Sequence, residues 1–202
     1  MVKEIGGAIL DKLRGFVRSQ VAAGFDPAEQ IVEDSVELLD DEIGDTALLR
    51  SAAAGLVREE LAAHFAAQRD WPEVTDCDRL DAAFADLGEA GVVSRGNFSC
   101  CGTCGVGEIV EEALEVSATG RSVRGHAFYH MQDTEAAVDG YGVWLSYGAL
   151  AEADPTQGEG PHLQIAAEVT EQLRAHGLQP EWSGSLSDQI RVPLDWKRRR
   201  AQ

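Results

Sequence analysis

The chain has 202 residues, 44% of them hydrophobic and 26% charged, a composition near the soluble globular average that excludes disorder, collagen and coiled coil. Thirty-five acidic residues against seventeen basic ones give a net charge of −18, and a field of that sign opposes phosphate backbones. No apolar run approaches the roughly 18 residues of a membrane span, and the opening residues do not read as a secretory signal.

The charge is spread along the chain: residues 1–70 hold 14 acids and 7 bases, residues 71–202 hold 21 and 10. A soluble cytoplasmic protein with no nucleic-acid and no membrane partner is expected, whereas a protein partner or a homo-oligomer stays open. Only three of the seventeen bases are Lys and Ala is abundant, a bias of high-GC bacterial genomes.

The first seventy residues read as a three-helix bundle, and residues 71–202 as a second domain. Ile5, Ile9, Leu13, Phe16, Val17 and Val21 recur at helical spacing up to a stop at Gly24. Asp26-Pro27-Ala28-Glu29 predicts a second helix with Asp26 as N-cap, Pro27 in its first position and Glu29 closing a capping box. Its inner stripe is Val32, Val36, Leu39 and Ile43. Asp26 through Asp45 holds nine acids and no base, so the outer face reads as solvated surface or as a dock for a basic partner. A third helix runs from Thr46 to Gln68, with Leu49, Ala53, Leu56 and Phe65 inward and His64 packed nearby.

Helical patterning stops at Trp71-Pro72, and a polar run at Thr75-Asp76-Cys77-Asp78 opens a helix that buries Leu80, Phe84 and Leu87. The chain then alternates. A strand is expected over 92–98, a helix over 105–118, strands over 126–132 and 142–148, a polar loop over 151–160 and a helix over 161–176. Short strands near 181–182 and 189–193 follow, and Lys197-Arg198-Arg199-Arg200 closes the chain as a solvated basic tail. This order predicts an α+β (or α/β) fold, with the helical bundle packed on a mixed, partly parallel sheet where helix 105–118 crosses over.

Chemistry concentrates in Asn97-Phe98-Ser99-Cys100-Cys101-Gly102-Thr103-Cys104-Gly105, between a strand and a helix. Three cysteines within five residues are not a disulfide framework of a secreted protein. A helix N-terminus offers unpaired N–H groups and partial positive charge, both of which favour a thiolate. Three readings stay open: a redox Cys-x-x-Cys, one half of a zinc site, and small side chains packed under a tight turn. Under the metal reading the ion is zinc, held by Cys101, Cys104 and His130, with Cys77 or Cys100 as a further ligand. Under the thiol-enzyme reading Cys101 is the nucleophile, Cys104 or Cys100 resolves it, and His130, Asp133 and Glu135 supply acid–base chemistry. His126 and His130 on one strand stand about 13 Å apart, so at most one of them joins the cysteines.

If strands 92–98 and 126–132 are the parallel pair, their carboxyl ends share one edge of the sheet. The cysteine turn then neighbours His130-Met131-Gln132-Asp133-Thr134-Glu135, where open α/β sheets bind ligands. Asp133 and Glu135 also suit a plainer role at the start of a short helix. No P-loop, Rossmann glycine fingerprint or Gly-x-Ser-x-Gly elbow occurs in the sequence.

Taken together, Thr75-Asp76-Cys77-Asp78, Asn97-Phe98-Ser99-Cys100-Cys101 with Cys104-Gly105, Tyr129-His130 and Gln132-Asp133-Thr134-Glu135 resemble an uncharacterised bacterial family of unknown function. Glu181-Trp182, Gly184, Trp196 and Arg198-Arg199 fit the same pattern. The resemblance covers residues 71–200 well and the helical N-terminus loosely. It implies a bacterial cytoplasmic protein whose cysteine and His-Gln-Asp-Thr-Glu segments belong together.

Overall fold

A computed structural model describes residues 5–150 and 158–201. The chain divides into two compact units, Met1–Glu73 with Lys197–Gln202 and Val74–Trp196.

The first unit has three helices, α1 (Gly7–Ala23), α2 (Ala28–Ile43) and α3 (Thr46–Gln68). Apolar side chains at helical spacing meet in one core: Leu13, Val17 and Val21 of α1, Ile31, Val36 and Leu39 of α2, and Leu49, Ala53, Leu56 and Val57 of α3. Val32, Ile43 and Phe65, expected inside, are only half-buried. Asp45 caps α3, its carboxylate accepting the Leu48 N–H at 3.1 Å.

Two expectations here are corrected. Pro27, not Asp26, is the N-cap of α2, and no side chain caps that end. The extended backbone of Pro27 starts the helix one residue late, which takes Asp26 out of capping register. The basic tail is not solvated either. The Arg200 guanidinium donates to the carbonyls of Gln20, Val21 and Asp26 at 3.0, 2.8 and 2.8 Å. Those groups lie at and just beyond the C-terminal end of α1, where carbonyls have room for further donors; Gln20 also accepts the Gly24 N–H at 3.3 Å. Gln68 and Arg200 exchange a pair of side-chain-to-backbone bonds at 2.9 and 3.1 Å. His64 Nε2–H donates to the Arg198 carbonyl at 3.1 Å, and the Arg198 guanidinium lies 4.3 Å from the centre of the Phe25 ring. Gly24, at φ +84°, allows this approach: a Cβ there would sit 2.7 Å from Arg198 Cγ.

The acidic face of α2 is partly neutralised by its neighbours in the bundle. Arg50 pairs with Glu33, and Lys12 with Glu42 at 2.5 Å.

The second unit holds α4 (Asp76–Glu89), β1 (Val92–Arg95), α5 (Gly102–Ala118), β2 (Gly125–Phe128), α6 (Met131–Val138), β3 (Val143–Ala149), α7 (Gly160–Ala175) and β4 (Ile190–Val192). The four strands form one sheet in the order β1-β2-β3-β4. β1 and β2 are parallel, with α5 as their crossover, and the other two pairs are antiparallel. The fold is α+β. Val93 and Phe128 meet Ile109 and Ala113 of α5 on one face of the sheet. On the other face, Gly125 lies against Ile165 of α7. A capping box opens α4: Asp78 N–H donates to Thr75 Oγ1 at 3.2 Å, and Thr75 N–H donates to Asp78 Oδ2 at 2.8 Å.

The expected strands over 92–98 and 126–132 are cut short, ending at Arg95 and Phe128. The expected helix over 105–118 starts early, at Gly102. The polar loop expected over 151–160 lies mostly outside the described residues.

Candidate functional site

The cysteine turn is set at the carboxyl edge of the parallel pair. Beyond Arg95 the chain leaves the regular ladder because Asn97 and Ser99 take left-handed φ values of +53° and +61°. Among the described residues these are the non-glycine positions with positive φ, a conformation that costs energy and concentrates at functional sites. Hydrogen bonds offset that cost. Phe98 N–H donates to the Tyr129 carbonyl at 2.9 Å, and Met131 N–H donates to the Ser99 carbonyl at 3.2 Å. Ser99 Oγ donates to Glu108 at 3.2 Å. The Cys segment and the His-Gln-Asp-Thr-Glu segment are therefore laced together along the backbone.

From this turn α5 departs with Cys101 as its N-cap and Cys104 in its first turn. The thiol sulfurs of Cys100, Cys101 and Cys104 all lie within 4.8 Å of one another. Cys100 and Cys104 are exposed and Cys101 is half-buried, so none of the three is a packing residue of the core. The Cys104 backbone N–H, and then the thiols of Cys104 and Cys100, hold the Cys101 thiol below its ordinary range. Cys104, whose thiol donates toward the sulfurs of Cys100 and Cys101 and lies beside their charge, is pushed up to about 11. The cluster thus loosens the proton of Cys101 and tightens that of Cys104.

Gly105 lets α5 lie directly on β2. A Cβ at that position would sit 2.4 Å from Phe128 Cε2. Phe128 is fully buried and meets Phe98 of the turn edge-on, at 5.9 Å between ring centres. The turn is gripped from below as well as along its backbone.

His130 is not the end of a strand. It is the N-cap of α6, and its Nδ1 accepts the Asp133 N–H at 3.3 Å while its own N–H donates to Asp133 Oδ2 at 2.9 Å. This reciprocal box was missed because histidine is a rare cap, yet the spacing His130-x-x-Asp133 was a visible signal. The far edge of the imidazole rests on the start of α5: Nε2 and Cδ2 lie 3.7 and 3.6 Å from where a Cβ on Gly102 would be. Asp133 is buried, and burial raises its carboxyl above the usual range, against the opposing pull of its bonds to His130. Glu135 is exposed on α6.

Neither His130 nor Cys77 belongs to the group of mutually close ligand atoms. Cys77 is a core residue of α4, 1% exposed, beside Leu80 and Phe84 in the buried set. His126 is buried in β2, and burial lowers it to about 4, with the nearby His162 adding to the effect. Its Nδ1 finds no hydrogen-bond partner among the described residues.

No helix of the described residues is long and apolar enough to cross a membrane. Searches of curated proteins and of solved structures find no match to this sequence. A family model described as a domain of unknown function (DUF6891) matches residues 8–200. That span takes in both units and the whole cysteine turn, and the chain belongs to this family.

Proposed function

We propose that Cys100, Cys101 and Cys104 bind a zinc ion that fastens the turn between β1 and α5. The observation that carries this reading is the convergence of three sulfurs to within 4.8 Å. In a zinc–thiolate tetrahedron neighbouring sulfurs stand about 3.8 Å apart, so closing the set needs side-chain rotation and no backbone change. Cys101 is the thiol of the set whose proton is held less tightly than usual, and the ion's charge draws the proton from Cys104 as well. Protein purified without chelator should carry about one equivalent of zinc, and each Cys→Ser change in the triad should lower that content. A zinc content below about a tenth of an equivalent, unchanged by added zinc, refutes the reading.

A second reading rests on a separate observation, the split between a thiol pushed down at Cys101 and one pushed up at Cys104. Here Cys101 is a nucleophilic or redox thiol, Cys104 or Cys100 resolves it, and His130 is the neighbouring base once its Nδ1 releases the Asp133 N–H. The distinguishing measurement is alkylation of metal-free protein across pH, followed by peptide mapping. Cys101 should react with a midpoint below the ordinary thiol value of about 8.5. A midpoint at or above that value removes the case for an activated thiol.

A further inference from the structure

We infer that the metal centre keeps its fourth coordination position for a small-molecule thiol of neutral or positive charge, bound as its thiolate. The inference rests on the zinc reading above.

Three sulfurs fill three vertices of a tetrahedron, and among the described residues no fourth cysteine, histidine or carboxylate joins them at that spacing. Two of the three ligands, Cys100 and Cys104, are exposed, so an ion between them sits at the protein surface. Two side chains near the turn already have hydrogen-bond partners. Glu108 accepts the Ser99 hydroxyl at 3.2 Å. His130 Nδ1 accepts the Asp133 N–H, so the neutral ring carries its proton on Nε2, and ligation through Nε2 would take the other tautomer and break that half of the capping box.

Charge and softness then choose the ligand. Zinc with three thiolates carries a net charge of −1, so it polarises a bound water less than a centre of charge +2 with three neutral histidines does. A hydrolytic role is disfavoured on that ground. A soft sulfur ligand matches the soft donor set better than water does. The exchange balances without an oxidant: the incoming thiol gives its proton to solvent, its sulfur bonds to the metal, and the coordinated water leaves. Every thiol adds one negative charge when it binds as its thiolate, so a thiol that brings a further anionic group is repelled by the chain, at −18, which restricts the class to neutral and cationic ones.

Cobalt(II) in place of zinc, with a phosphine as the only reductant, makes the vertex visible. Sulfur-to-cobalt absorbance scales with the number of bound thiolates, so 2-mercaptoethanol or cysteamine should raise it by about a third as three become four. Mercaptosuccinate should need a much higher concentration to do the same. Cobalt binding with no rise on adding any of these thiols overturns the inference and leaves the metal reading standing. A rise that occurs only in His130→Ala identifies His130 as the fourth ligand and also overturns it. Equal response to the anionic and cationic thiols refutes the restriction by charge. If cobalt does not bind at all, the metal reading falls and this inference with it.

Discussion

Two glycines two residues apart on α5 offer a test in which the largest uncertainty cancels. Gly105 and Gly107 both lie inside the helix, so replacing either by alanine gains about 1 kcal/mol of helix propensity. Their surroundings differ. A Cβ on Gly107 meets nothing within 4 Å. A Cβ on Gly105 meets Phe128 Cε2, Cζ and Cδ2 at 2.4, 2.9 and 3.2 Å. Phe128 is fully buried among Val93, Ile109 and Ala113, and its ring is not the free end of a flexible chain. Overpacking of this kind costs about 1–3 kcal/mol. Because the propensity gain is common to both variants, Gly105→Ala should be less stable than Gly107→Ala by that overpacking cost, about 1–3 kcal/mol. Gly107→Ala should itself exceed the parent chain. Urea denaturation followed by far-ultraviolet circular dichroism measures the three midpoints side by side. Equal stability of the two variants would show that α5 does not seat on β2 through Gly105, and the account of how the cysteine turn is gripped would fail with it.

The tail makes the next case: Arg200→Ala should cost about 1–3 kcal/mol, because three carbonyls near the end of α1 lose a charged donor. Faster amide exchange in the last turn of α1 locates the loss. His126 predicts a pH dependence with a definite sign. Its folded value of about 4 lies below the ordinary 6.5, so the unfolded chain binds the extra proton between them, and stability falls as pH drops from 6.5 to 4. The loss from this residue is about 3 kcal/mol, and His126→Gln should flatten that limb of the stability–pH curve. At the helix starts, Thr75→Ala should cost about 1 kcal/mol through its capping box, whereas Asp26→Ala should change stability by less than about 0.5 kcal/mol. Reversal of that order in thermal denaturation would restore Asp26 as the cap of α2.

Local signals carried much of the fold and failed where a distant part of the chain decides. The bounds of α3 match those read from the sequence because Gly44, Asp45 and the apolar stripe all act within one helical turn of each other. The partly parallel sheet was readable from the strand–helix–strand order alone. The fate of the basic tail was not. Four consecutive charges look solvated, and nothing in their own sequence shows that carbonyls at the end of α1, some 180 residues earlier, will take up an arginine. The cysteines were readable as a cluster, and Cys100 was ranked below Cys104 only because Cys101-Gly102-Thr103-Cys104 has a familiar spacing. The residue before Cys100, Ser99, has left-handed backbone where the three sulfurs come together, and a serine does not advertise that conformation. His130 was misplaced at the end of a strand because the extended run does reach it. Its backbone is extended, but as the N-cap of α6.

The position of the site follows from the topology rather than from the cysteines. A parallel pair needs a crossover, and the crossover helix must begin at the carboxyl edge of the first strand. That places the N-terminus of α5, with its unpaired N–H groups, beside the residues that follow β2. One of those N–H groups, on Cys104, faces the Cys101 sulfur, which makes Cys101 the acidic member of the triad. The turn pays for two left-handed residues with backbone bonds to Tyr129 and Met131, so its shape is held by the sheet before any metal arrives. The proposed ion would then have only about the last ångström of sulfur convergence to supply. Under the proposed metal reading, an ion that joins a turn already held by the sheet would leave one coordination position to a ligand from solution, which ties the exposed triad to the thiol site inferred above.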